Sequence, residues 1–134
     1  MREQTKTIAA NAAAITFIAL LLFWGNTQYR QWYQYRLGEK ALGAGDTINA
    51  IAGYESAIHM YTPGSPLVER SATRLWELGE SLERQGETEK ALLAYRALRS
   101  SFYAAHGLIR PGQGWIARCD SRIAQLAKPA PPAN

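Results

Sequence analysis

Polar and apolar positions divide the chain into two regimes. From Ile8 to Trp24 there is no charged residue, and Ile15 to Trp24 is almost continuously apolar. As a helix this stretch spans about 26 Å, and adding Thr7 and Gly25 brings it near the roughly 30 Å of a bilayer core. Beyond it the pattern becomes amphipathic. Leu75, Leu78, Gly79 and Leu82 recur at i, i+3, i+4 and i+7, and Ala91, Leu92, Tyr95 and Leu98 form a second such stripe. Trp115, Ile116, Cys119, Ile123 and Leu126 mark a last helix after a loop rich in glycine and proline. The pattern predicts an all-α protein.

The chain also repeats itself. Leu37-Gly38, Gly45-Asp46, Ala50 and Tyr54 recur forty-one positions later as Leu78-Gly79, Gly86-Glu87, Ala91 and Tyr95. Such self-similarity is the signature of stacked helical units. Gly86 suits the left-handed end of one helix, and Glu87 or Thr88 the start of the next. Small Gly79 and Ala91 allow two backbones to approach, with Tyr95 filling the space beside them. Between the copies, Ser65 is placed to cap a helix starting at Pro66 or Leu67.

In order and spacing these residues resemble the tetratricopeptide repeat family: Leu75, Leu78-Gly79, Leu82, Gly86-Glu87, Ala91 and Tyr95, and in the first copy Leu37-Gly38, Gly45-Asp46, Ala50, Tyr54 and Ala57. Ala41 is small where the family is bulky, Leu98 replaces a small residue, and the spacing exceeds the family's thirty-four by about seven residues around Tyr61 to Pro66. The stretches Tyr54 to Ile58, Tyr61 to Pro66 and Glu69 to Ala72 are also similar in style to repeats of bacterial envelope proteins in outer-membrane assembly and Tol-type systems. The resemblance implies two helical hairpins, a capping helix and a role in protein–protein interaction.

The organisation expected is therefore an N-terminal tail (1–6), a transmembrane helix (7–27), a helical domain (28–127) and a Pro/Ala-rich tail (128–134). Within the domain the repeats fall at about 31–62 and 67–105, with the capping helix at 115–127. A cleaved secretory signal is the competing reading of the N-terminus, since Arg2 and Lys6 precede the apolar run. No small-x-small cleavage motif follows Leu22, and Trp24, Tyr29, Trp32 and Tyr33 stand where an interfacial aromatic belt belongs. Basic residues lie on both sides of the span, so charge hardly biases orientation; a short N-terminal tail in the cytoplasm and a periplasmic domain at a bacterial inner membrane is the reading adopted.

Composition changes this picture little. The net charge of +4 is scattered, which gives no basic face for nucleic acid. His59 and His106 have no second ligand at metal spacing, Cys119 has the spacing of a buried hydrophobe, and Gly112-Gln113-Gly114 lacks the lysine of a phosphate loop. No catalytic residue, cofactor or metal is expected, and the partners expected are the lipid bilayer and an envelope or membrane protein. In the resembled family, partners lie along the first helix of each hairpin. Carried over by position, this selects Thr73, Trp76, Glu80, Glu83 and Arg84 in the second copy, and Trp32, Tyr35 and Glu39 in the first. Trp76 is the preferred anchor, with packing against the closing helix or the inserted turn as its alternative.

Overall fold

The computed structural model describes residues 1–128 and contains five helices among them: α1 Arg2–Gly43, α2 Thr47–His59, α3 Pro66–Arg84, α4 Thr88–Ala104 and α5 Gln113–Leu126. The chain is all-helical, as the periodicity predicts, and no strand occurs among the described residues. All but the first residue of the expected C-terminal tail lies outside them.

The apolar segment and the first repeat helix, expected to run directly into one another because Gln28 to Lys40 contains no proline, form one unbroken helix of 42 residues, about 63 Å long. Its N-terminal part is long and apolar enough to cross a membrane, and none of that window is covered by the other described residues. Its C-terminal part packs on α2, α3 packs on α4, and α5 closes the stack against α4.

The two repeated Gly-acidic pairs end α1 and α3 in the same way. Gly45 and Gly86 take φ of +74° and +77°. The N–H of Asp46 donates to the carbonyl of Ala41 and that of Gly45 to Leu42; Glu87 and Gly86 do the same to Leu82 and Glu83. This double bond pattern satisfies carbonyls that the helix end leaves free. Asp46 then caps α2, its carboxylate accepting from the Asn49 N–H at 3.1 Å, whereas Glu87 makes no such cap. Ser65 caps α3 as expected, accepting from the Leu67 N–H.

The core runs between the hairpins, with Tyr54, Ile58, Leu75, Tyr95, Leu98 and Phe102 almost wholly excluded from solvent. In the first hairpin the two backbones themselves meet. A Cβ on Gly53 would lie 2.6 Å from the Gly38 backbone nitrogen, and one on Gly38 would lie 3.0 Å from the Tyr54 ring.

A polar contact absent from the sequence reading joins three elements. Gln31 of α1 is fully buried; its amide donates to the carbonyls of Ala57 at 2.9 Å and Met60 at 3.1 Å, and its oxygen accepts from the Ser65 hydroxyl at 2.5 Å. One side chain thus holds the end of α2 and the start of α3 to α1.

Three substitutions have expected outcomes for unfolding of the full-length protein in detergent, followed by circular dichroism. Gly53→Ala is expected to lose about 1–3 kcal/mol through overpacking against backbone, while Gly43→Ala, with open space around it, should be neutral or gain up to about 1 kcal/mol. Gln31→Leu fills similar volume but strands the buried carbonyls and hydroxyl, and a loss of about 1–3 kcal/mol is expected; an unchanged melting temperature would show that water replaces the amide.

Candidate functional site

The face built from α1, α3 and α5 carries the residues selected by sequence, but α3 divides them. On one side, between α1 and α3, Tyr35, Glu69, Arg70, Thr73, Arg74 and Glu77 line an open depression. On the other, Trp76 shares a shallower one with Ala117, Arg118, Ser121, Arg122 and Gln125 of α5.

One arginine lining each depression, Arg74 in the first and Arg122 in the second, belongs to a Glu–Tyr–Arg cluster. In the first, Glu39 accepts from the Tyr54 hydroxyl at 2.7 Å and from Arg74 Nε at 2.9 Å. In the second, Glu83 accepts from the Tyr95 hydroxyl at 2.6 Å and from Arg122 Nε at 2.8 Å, with a second, short contact to the Arg122 guanidinium. The physical cause is the repeated tyrosine, whose buried ring places a hydroxyl at the helix interface where it needs an acceptor. The carboxylate that serves it then needs a cation.

The two copies solve this from different repeat positions. Glu39 precedes its tyrosine by fifteen residues and Glu83 by twelve. Glu80, the repeat equivalent of Glu39, instead accepts from the Trp76 indole at 2.9 Å. Arg74 and Arg122, absent from the sequence-based selection, complete the clusters; only the unpaired tyrosine hydroxyl could have signalled them.

Electrostatics follow from this wiring. Burial tends to raise the Glu39 carboxyl, but the Tyr54 hydrogen bond and the Arg74 charge outweigh it and hold the group below the usual carboxylate range. Arg122 holds Glu83 low in the same sense, against burial and with help from Tyr95. Burial and the adjoining carboxylate push the Tyr54 and Tyr95 hydroxyls above the ordinary tyrosine range.

Trp76 is half-buried and packed from three sides. Its ring centroid lies 4.9 Å from Tyr95 and 6.3 Å from Trp115, and the Arg118 guanidinium sits 4.3 Å above it. The same guanidinium lies 4.6 Å from Trp115. Packing against the closing helix, the alternative weighed for Trp76, is therefore its observed environment. Thr73 and Arg84 are exposed, Tyr35 is half-buried against Tyr54, and Trp32 stands outside both depressions beside Tyr29, with Arg36 over its ring. Trp24, Tyr29, Trp32 and Tyr33 are all exposed along α1.

The residues set aside by sequence have ordinary surroundings. His59 faces Glu55, and His106 lies between Tyr103 and Gln113. Cys119 is buried, and burial, aided by Asp120, pushes its thiol up to about 12. At neutral pH it carries no thiolate.

Comparison with known protein families, curated proteins and solved structures finds no match to this chain. The functional reading therefore rests on the geometry.

The lowered carboxyls fix the sign of an acid transition. Just below the usual carboxylate range the unfolded chain binds protons that native Glu39 and Glu83 refuse, so stability present at pH 7 is lost as pH falls from about 5 toward 3. Glu83→Gln should be less stable at pH 7 and show a flatter decline across that window, measured by denaturant unfolding. The raised tyrosines act oppositely: their contribution is present below about pH 10 and lost as pH rises beyond it.

Proposed function

We propose that the protein is a non-enzymatic, membrane-anchored adaptor whose helical domain, similar to tetratricopeptide repeats, holds a protein partner at a bacterial inner membrane. In this reading α1 spans the bilayer with its N-terminus in the cytoplasm, and α2 to α5 lie in the periplasm. The observation that carries it is the single helix α1, which supplies both an uncovered apolar span and the first wall of the domain. No loop intervenes, so the domain is held against the bilayer instead of swinging from it.

The depression between α1 and α3 is the partner surface best supported by geometry. It offers both charges, Arg70 beside Glu69 and Glu77, together with the half-buried Tyr35 ring and the exposed Thr73. Trp76, already covered by Arg118 and Trp115, contributes less accessible area and serves to seat α5. Of the residues carried over by position, Tyr35 and Thr73 belong to this surface, and Glu39 meets it through its hydrogen bond with Arg74.

A second reading has its own observation. The apolar span is uncovered throughout, and Ala9, Ala10, Ala12, Ala13 and Ala14 give it small side chains suited to close helix packing, so the chain could be a subunit held in a larger complex by α1 itself.

Photo-crosslinking in native membranes separates the two. With benzoylphenylalanine at Thr73, at Phe17 within the span and at Leu93 on the exposed back of α4, the adaptor predicts a discrete protein adduct from position 73 that is absent from position 93. Adducts from position 17 alone would transfer the interaction to the span.

A further inference from the structure

The connections of the fold are sorted by end. The turns α1–α2 and α3–α4 lie at one end, where Gly45 and Gly86 sit. The connections α2–α3 and α4–α5 lie at the other, as two side-chain contacts establish. Gln31 bonds to Ala57, Met60 and Ser65, which places the α2–α3 connection beside the point where α1 leaves the domain toward its apolar span. The Trp115 indole donates to Glu69 at 3.0 Å, which sets the start of α5 alongside the first turn of α3. The α4–α5 loop, preceding Trp115, therefore projects from the same end as the span.

The tip of that loop is apolar and uncovered. Leu108 is 108% exposed and Ile109 59%, and Arg110 follows them, exposed as well. A solvated loop gains nothing from two adjacent large aliphatic side chains held out in water. The tip is also held in shape. The Gly107 N–H donates to the Ile109 carbonyl at 3.0 Å, turning Leu108 outward. At the loop's base Gly112, at φ +74°, packs so tightly on Phe102 that a Cβ would lie 2.2 Å from its ring. Leu108 and Ile109 are thus presented by a braced turn.

We propose that this loop is a second membrane contact: Leu108 and Ile109 enter the bilayer interface on the side where α1 emerges, with Arg110 beside lipid phosphates. The inference rests on α1 spanning the bilayer. Gln31 lies seven residues past Trp24, about 10 Å along the helix, near the outer edge of the headgroup layer. The exposed Tyr29, Trp32 and Tyr33 occupy that level on α1. An aliphatic pair with a following arginine on the same side has the composition of an interfacial anchor, burying apolar area while the cation stays among headgroups. Two attachment points would fix the tilt of the domain, where α1 alone fixes its position.

The test uses the full chain in vesicles of phosphatidylcholine and phosphatidylglycerol, with nitroxide labels in a Cys119→Ala background. Labels are placed singly by Gly107→Cys, where a side chain meets open space, by Gln85→Cys at the opposite end, and by Phe17→Cys within the span. The expected result is a label at 17 accessible to oxygen, a label at 85 fully open to a water-soluble nickel reagent, and a label at 107 largely protected from nickel. Leu108→Asp with Ile109→Asp should return position 107 to the openness of position 85. A label at 107 as open as that at 85, or protection that survives the two aspartates, overturns the proposal while position 17 continues to report the span. If position 17 is itself open to nickel, the anchor reading fails and the second contact with it.

Discussion

The buried amide of Gln31 is the interaction on which the arrangement turns. It lies on the helix that also carries the apolar span, and its hydrogen bonds reach the last turn of α2 and the cap of α3. Together with the Glu39 carboxylate, which accepts from Tyr54 of α2 and Arg74 of α3, it supplies the directional bonds that the close glycine contact at Gly38 and Gly53 lacks. An amide with fixed partners specifies one rotation and one height of α1 against the domain. A buried polar group costs free energy unless it is satisfied, and here that requirement serves as the constraint.

The Glu–Tyr–Arg clusters extend the same logic outward. Each tyrosine fills the gap left by a glycine on the facing helix, Tyr54 over Gly38 and Tyr95 over Gly79. The ring seals one hairpin, and the hydroxyl-bound carboxylate recruits an arginine from the next element, Arg74 on α3 or Arg122 on α5. Intra-hairpin packing is thereby linked to the stacking of successive units. That the acceptor lies one helical turn later in the second copy shows what the repeat preserves: the hydroxyl's demand for an acceptor, met by whichever glutamate the local geometry brings near.

This explains which parts of the architecture were legible in the sequence. Gly45, Gly86, Ser65 and the α5 stripe act through local backbone geometry or a fixed period, so their roles follow from neighbours in the chain. Cys119 was readable for the same reason, lying on the apolar stripe. The polar partnerships were not, because Gln31 meets groups twenty-six to thirty-four residues away and Arg122 meets one thirty-nine away. Position within a repeat selected Glu80 as readily as Glu83, and only tertiary placement separates a carboxylate that caps an indole from one that holds two helices together. Likewise Trp76 had the composition of an exposed anchor, and its covering by Arg118 depends on where α5 docks.

The unbroken α1 joins the uncovered apolar segment to the helical domain without a hinge. A helix without a hinge transmits rotation about its axis, so a rotation of the apolar segment would carry Tyr35 through the same angle at the edge of the α1–α3 depression. Gln31 keeps α2 and α3 in step with that rotation, because its hydrogen bonds bridge all three elements. The depression and the apolar segment therefore keep one fixed orientation relative to each other. A partner that sets the orientation of the apolar helix would also set the direction in which Thr73 faces, while the shape of the depression stays as it is. A rigid connection fixes direction without changing affinity, because coupling between two sites needs an element with two states; the proposed adaptor and packed-subunit roles thus draw on the same helix without excluding one another.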